Sequence, residues 1–445
     1  MKYRTFRIGG VHPAEHKLAK DAAIEQFPIP AKVAISMAQH LGAPATPVVE
    51  KGDKVKVGQV IGTPTGFVSG FVHSSVSGTV TAVEPRADLA GNMVLHVCID
   101  VEGDEYADGI ATSDRVERDI KGSPEELLEK IKKAGVVGMG GATFPTHIKL
   151  APPKDKKAEY LIINAAECEP YVTADDRLMR EHSHEIVLGA RVMARVLGVE
   201  MVVIAVEENK PEAFDALCEA TLRYVGIDVV KMKKKYPQGG EKQLIDAITR
   251  RRVPSGGLPI ETGCVVQNVA TAYAVYQAVQ KDRPLVERVM TVTGECLPVQ
   301  KNYLVRIGTP ISAILDSVGG LPMESAKVIS GGPMMGKAVS NLEATTQKGS
   351  SCLLVLTPEQ TARTPETVCI RCGRCTQACP MGLEPWLMNR LGRIGDYAAL
   401  EENKIYDCIE CGCCQSTCPA HIPLLDIVRT SKAEVMKIIR SRAKK

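Results

Sequence analysis

The apolar positions of this chain change period from segment to segment, and the changes mark out its elements. YLIIN (160–164) and MVVIAV (201–206) are short apolar runs bounded by polar residues, the pattern of buried strands. Between them HEIVLGARVMARVLG sets Ile186, Val187, Ala190, Met193, Ala194 and Leu197 on one side of a helix, so an α/β domain is expected. Upstream, PEELLEKIKKAG is periodic like a helix, while PVVEKGDKVKVGQVIG and VHSSVSGTVTAVEP alternate apolar with polar residues and turn on Gly-Asp and Ser-Gly, as short strands do. Residues 286–340 hold the strands MTVTG, NYLVRIG and AKVISGG with a helix candidate, PISAILDSVG, and KGSSCLLVLTPEQTARTPETV then reads as a strand and a linker. Near the end, Trp386, Leu387, Leu391, Ile394 and Leu400 fall at approximate helical spacing, with the single tryptophan expected in the core. The pattern predicts a multidomain α/β and α+β chain divided at 1–115, 116–284, 285–345 and 346–445.

Composition narrows the function classes. Lys plus Arg is 55 against 52 for Asp plus Glu, a balance that gives no reason to expect nucleic acid. The stretch from Arg429 to Lys445 is basic; it could lie against anionic lipid headgroups or an acidic partner, or simply be a solvated helix end with its cations at the C-terminus. MKYRTFRIGG lacks the apolar core of a signal peptide, and the longest uncharged run, TGCVVQNVATAYAVYQAVQ, is too polar for a membrane span. A soluble or peripheral chain is expected. Fifteen cysteines in such a chain point to metal ligation and buried thiols in a reducing compartment. His12 and His73 lack partner spacing and read as ordinary polar residues.

Two cysteine runs share one spacing, C-x2-C-x2-C-x3-C-P. CIRCGRCTQACP gives Cys369, Cys372, Cys375 and Cys379; CIECGCCQSTCP gives Cys408, Cys411, Cys414 and Cys418. Three thiolates at this spacing wrap one [4Fe-4S] cube, and the cysteine before proline reaches to the other cube. The expected sets are Cys369, Cys372 and Cys375 with Cys418, and Cys408, Cys411 and Cys414 with Cys379. Cys413 falls between ligands and is left over. Structural zinc also uses CxxC pairs, but two copies of the ferredoxin run favour cubes. Cubes carry single electrons, so a flavin is expected to convert hydride pairs for them. AGVVGMGGATFPTHIKL is its candidate site: Gly138, Gly140 and Gly141 can bring backbone N–H groups to a phosphate and Lys149 can supply charge, although glycine clusters also make plain turns.

GMGGATFPTHIKL, YLIINAAECEPYVTADDRLM, YPQGGEKQLIDAI and VVQNVATAY, in that order, resemble the flavin and nucleotide segments of the NADH-oxidising subunit of respiratory complex I. With the opening GGVHP and with VISGGPMMG, the chain more closely resembles the C subunit of the Rnf ion-translocating electron-transport complex, from Gly9 to the second cysteine run. The resemblance implies a noncovalent FMN held by Gly138, Gly140, Gly141, Lys149, Asn164, Glu167, Gly240, Glu241 and Asn268, with Glu169 beside the nicotinamide and Phe144 stacked on the nucleotide. Asn164 and Asn268 would bond the flavin's amide edge. Met139, Ala166, Thr143 and Lys242 depart from the complex I pattern, where arginine, aspartate, glycine and a second glutamate stand. The first domain resembles the barrel-sandwich hybrid of biotinyl and lipoyl carriers, yet no lysine occurs from Val57 to Glu84, which excludes covalent carriage and favours a docking or structural role. The third resembles a soluble-ligand-binding β-grasp (SLBB) module, with Gly331, Gly332 and Gly336 free for a ligand or a turn, and the last an α-helical ferredoxin domain.

The implied function is that of a peripheral subunit on the cytoplasmic side of the cell membrane. It would pass electrons between NAD(H), FMN and two [4Fe-4S] clusters, in ferredoxin:NAD oxidoreduction coupled to ion transport by membrane and iron–sulfur partner subunits. A soluble corrin (cobalamin) reductase of the same build and a noncatalytic cluster-bearing adaptor are the alternatives; the former's glycine loop more often reads GGAGF where this chain has GGATF.

Overall fold

A computed structural model describes residues 3–322 and 327–443. Its centre is a four-stranded parallel sheet in the order Ile227–Met232, Met201–Glu207, Tyr160–Ala165, Cys264–Asn268. The chain works outward from Tyr160–Ala165 and then returns to its other side, so the strand order reverses between Tyr160–Ala165 and Cys264–Asn268. Ligand crevices in open α/β sheets open at such a reversal, beyond the carboxyl ends of the strands. Asn164 and Asn268 are register partners at that point.

The expected helix spans Ser183–Leu197, with Ile186, Val187, Ala190, Met193 and Ala194 buried. It crosses the helix Val269–Gln280 at Gly189, where a Cβ would stand 1.8 Å from the carbonyl oxygen of Ala272. Only glycine permits that approach, and the two helices together seal one face of the sheet.

The first domain is a sandwich of a four-stranded and a three-stranded sheet around Val33, Ile35, Ile61, Val72, Val80 and Ile99. The segment between Val72–His73 and Gly78–Ala87, where a carrier would present its lysine, is buried: the Ser75 carbonyl accepts from the Arg306 guanidinium at 3.0 Å and the Ser75 hydroxyl donates to Ile307. The tip is therefore an internal joint.

The β-grasp sheet runs Ile24–Gln26, Lys301–Arg306, Glu287–Thr293, Cys352–Leu356, Lys327–Ser330, Lys337–Ala338, with the helix Ile311–Asp316 packed on Met290, Tyr303 and Val355. Cys352–Leu356, read from sequence as a strand but placed beyond the boundary at residue 345, lies inside this sheet, and an edge strand comes from the distant segment Ile24–Gln26. The ferredoxin-like end is helical: Pro385–Ile394 and Tyr397–Glu402 pack with Leu424–Ala443 around Met388, Leu400, Ile405, Val428 and Val435. Trp386 and Ile394 are exposed there, contrary to the expectation of a core tryptophan, because Met388 takes the buried position.

Candidate functional site

Residues 138–144 form a loop closed at its base by the Gly138 N–H donating to the Phe144 carbonyl at 2.8 Å. Its tip is exposed, Gly141 takes φ +132°, and no atom lies within 4 Å of the place where a Gly141 side chain would begin. The loop lies over the strand-order reversal, with a Cβ on Gly140 falling 3.3 Å from the Asn268 side chain. Its underside is pinned. The Met139 N–H donates to the Thr271 hydroxyl at 2.9 Å, in the first turn of Val269–Gln280, and the buried Arg288 guanidinium donates to the Met139 carbonyl at 2.9 Å. Met139, where complex I has arginine, is a core side chain, and Arg288 supplies a guanidinium from beneath. Burial lowers the Arg288 pKa to about 10, Asp175 offsetting part of the cost.

The polar side chains around the crevice are engaged with one another. Asn268 caps its helix, accepting from Ala270 N–H at 2.8 Å and donating to Asp175 at 2.6 Å. Asn164 donates to the Gly239 carbonyl at 2.8 Å, and Gly240 leads into the helix Glu241–Thr249 as its N-cap. Lys149 is paired with Glu241 and donates to the Val266 carbonyl at 2.6 Å. Glu167 accepts from the N–H groups of Asp175 and Asp176 at 2.6 and 3.1 Å, the usual use of a carboxylate at a helix start. Lys17 donates to the carbonyls of Glu167, Glu169 and Val172. Burial pushes Glu167 up and Lys17 down, their mutual attraction offsetting only part of it.

Thus Gly138, Gly140, Gly141, Lys149, Asn164, Glu167, Gly240, Glu241 and Asn268 are gathered by the loop, the strand ends and the two helix starts that meet there. Phe144 is half-buried at the base of the loop. Glu169 points elsewhere: its carboxylate accepts from Met334 and Met335 N–H at 3.1 and 2.8 Å and lies 3.4 Å from the Tyr236 hydroxyl oxygen. It anchors the GGPMMG turn, and a Cβ on Gly332 would strike it.

The cysteines gather around one cavity and one apolar patch. Cys379 from the first run lines one cavity with Cys408, Cys411 and Cys414 from the second, and the remaining lining is largely apolar, including Leu383, Met388 and Val428. Cys375 and Cys418, together with Cys414, pack against a second apolar patch, Ala420, Ile422 and Leu424; Thr367 N–H bonds to the Ala420 carbonyl, and Cys369 and Cys372, which follow it in the chain, are exposed. Cys413 is fully buried, its sulfur 3.9 Å from the Tyr236 carbonyl, and is not part of the cavity lining. The two runs also repeat one backbone pattern: Arg371 and Glu410 (φ 55° and 56°), Gly373 and Gly412 (72° and 77°), Gly382 and His421 (69° and 53°) are all left-handed. A thiol-lined, otherwise largely apolar cavity fits a cube, and the open glycine tip over the strand-order reversal fits a flavin phosphate.

Flavin crevice and thiol cavity are joined by one short segment, Tyr236–Gly240. At one end the Tyr236 hydroxyl donates to the Cys411 carbonyl at 2.9 Å; at the other, Gly239 accepts from Asn164. Lys242 pairs with Asp407, the residue before Cys408, at 3.6 Å, so the lysine that replaces a glutamate of the complex I pattern ties the flavin domain to the second cysteine run. Burial pushes Asp407 up, but the Gly256 N–H, the Ser255 hydroxyl and Lys242 outweigh it and hold its carboxyl below the usual range. Sequence reasoning assigned no role to Gly9 and Gly10. Gly10 N–H donates to the Ala378 carbonyl at 2.9 Å, and a Cβ on Gly9 would sit 2.4 Å from the Cys379 carbonyl, which accounts for the glycines of GGVHP.

Comparison with known proteins matches residues 5–105 to the RnfC barrel sandwich hybrid domain, 131–277 to the Nuo51 FMN-binding domain and 362–419 to a 4Fe-4S dicluster domain. The C subunit of the proton-translocating ferredoxin:NAD(+) oxidoreductase complex of Clostridium ljungdahlii is 47% identical over 97% of this chain and 94% of that protein. The Na(+)-translocating counterpart of Acetobacterium woodii is 42% identical over 98% of each. Among solved structures, the NAD+-reducing [NiFe]-hydrogenase in the H2-reduced state aligns with 70% of this chain and 63% of that one at a TM-score of 0.49 and 18% identity. Among the described residues, no helix is long and apolar enough to cross a membrane. With its barrel-sandwich, flavin and dicluster segments in order and near-full-length identity to these subunits, the chain belongs to the RnfC family, the C subunits of ion-translocating ferredoxin:NAD oxidoreductase (Rnf) complexes.

Proposed function

We propose that this chain is the peripheral subunit of a membrane-bound Rnf-type complex, on its cytoplasmic side, passing electrons between NAD(H) and its partner subunits while those in the membrane move the ion. FMN, when bound, exchanges a hydride with nicotinamide and single electrons with the clusters. The observation that carries this reading is the Tyr236–Gly240 segment, which touches both the flavin crevice and the thiol cavity.

In this reading Gly138 closes the loop, the exposed Gly140 and Gly141 and the start of Val269–Gln280 present backbone N–H groups to the flavin's phosphate, and Lys149, held by Glu241, supplies the positive charge. Asn164 and Asn268 retain lone pairs for the flavin after their internal bonds are made. Glu167 keeps the helix Ala174–Glu181 in place beneath. Phe144 offers the nucleotide an aromatic face. Glu169 serves the cluster side, because its carboxylate is already bound by the Met334–Met335 turn. Cys408, Cys411, Cys414 and Cys379 hold the cube nearer the flavin, and Cys369, Cys372, Cys375 and Cys418 the outer one.

Anaerobic purification with FMN and iron assays, followed by NADH addition, tests the proposal. One FMN, about eight irons and prompt bleaching of the visible spectrum are expected. Clusters without flavin, or a spectrum indifferent to NADH, would remove the catalytic reading and leave an adaptor.

A further inference from the structure

The two cysteine runs share a backbone pattern, yet only one of them is covered. In the second run, Ile409 packs among Val11, Tyr236 and Met334, and the Met334 carbonyl lies 3.1 Å from where a Cβ on Gly412 would be. At the equivalent places in the first run, Ile370 is 68% exposed and no atom lies within 4 Å of a Cβ built on Gly373. Val368 (86%) flanks Ile370 in the chain, and Trp386 (42%), whose backbone hydrogen-bonds to the ligand Cys375, is exposed as well. One half of a pseudo-symmetric unit thus docks on the flavin domain, and the matching face of the other half is bare.

Charge identifies what covers it. Glu410 of the second run is neutralised by Arg429 at 3.3 Å and Lys432 at 3.0 Å. Its counterpart is Arg371, of opposite sign, and both it and the neighbouring Arg374 are exposed and without an ion-pair partner among the described residues. An apolar face with unpaired guanidinium groups beside it, next to two exposed cube ligands, fits an acidic protein bearing its own one-electron centre.

We propose that Val368, Ile370 and Trp386 with Arg371 and Arg374 form the docking surface for an acidic iron–sulfur protein, which exchanges electrons with the outer cube. This rests on the electron-carrying role above. The test uses the purified holoprotein and an oxidised bacterial two-cluster ferredoxin as probe, with binding read by calorimetry across a salt series. Arg371→Glu/Arg374→Glu and, separately, Ile370→Ser are compared with the unaltered chain. Glu at 371 has the precedent of Glu410 in the same backbone conformation, so the cubes should survive, which an iron assay checks. The expected result is binding that weakens steeply with salt and is at least about tenfold weaker in the charge-reversed protein. Unchanged affinity would overturn the proposal, as would self-association abolished by these changes, or binding to anionic phosphatidylserine vesicles in place of the ferredoxin. Bleaching by NADH without the probe reports on the electron-carrying role alone, so the two failures are distinguishable.

Discussion

Glycine at position 9 is a packing requirement: φ is +63° and its α-carbon lies against the Cys379 carbonyl. Gly9→Ala should push the 379–380 turn away and deplete the inner cube, so that iron falls from about eight toward about four per chain. Cys413→Ser should leave both cubes intact, because its sulfur faces the Tyr236 carbonyl, whereas Cys418→Ser should damage the outer one; equal iron loss in both variants would refute the wiring. The spacing of the ligands was legible in sequence because cluster geometry fixes it locally. The role of Gly9 was not, since its partner is far away in the chain. The resemblance assigns Asn164, Asn268 and Glu167 to one site, but their internal hydrogen bonds depend on Gly239, Asp175 and a helix start that no local pattern announces.

At the level of elements, the interface between the helix Glu241–Thr249 and the second cysteine run turns on Asp407. Asp407→Asn removes the charge that pairs with Lys242 and disturbs the bonds from Ser255 and Gly256, at a cost on the order of 1–3 kcal/mol. The expected outcome in stopped-flow is normal reduction of the flavin by NADH with slowed bleaching of the clusters; equal rates in both phases would show that this contact does not set the distance. Period and composition foretold most strands and helices. They failed where an element's neighbours decide its place: Cys352–Leu356 looks like any isolated apolar strand, and only its pairing with Glu287–Thr293 and Lys327–Ser330 makes it part of the β-grasp sheet. Trp386 and Ile394 obey helical spacing yet face outward, because spacing defines a stripe without saying which stripe is buried.

Across the full chain, three domains meet at Lys348 and His73. The buried Lys348 ammonium donates to the carbonyls of Phe71 at 2.8 Å and Gly135 at 2.7 Å, joining the barrel, the flavin domain and the segment leading to Cys352–Leu356. Burial, aided by Lys348, lowers the His73 pKa to about 3. The unfolded chain takes up that proton near pH 6.5, so stability from this histidine is complete above that pH and declines steadily as pH falls toward 3, by about 1.4 kcal/mol per pH unit. Thermal unfolding at about pH 6.5 and about pH 5 should show the decline, and His73→Gln should flatten it; identical slopes would mean that other groups govern it.

The contacts of residues 4–26 also bear on the order of assembly. Arg4 bonds to Lys231, Gly10 to Ala378, and Ile24–Gln26 pairs with Asn302–Leu304. A ribosome therefore makes this stretch early but supplies its last partner only when the ferredoxin-like end emerges. The stretch is made before its partners and placed only with them, and the inner cube cannot be fully enclosed until it arrives. Such long-range closure slows folding, so iron insertion in the cell should be largely post-translational.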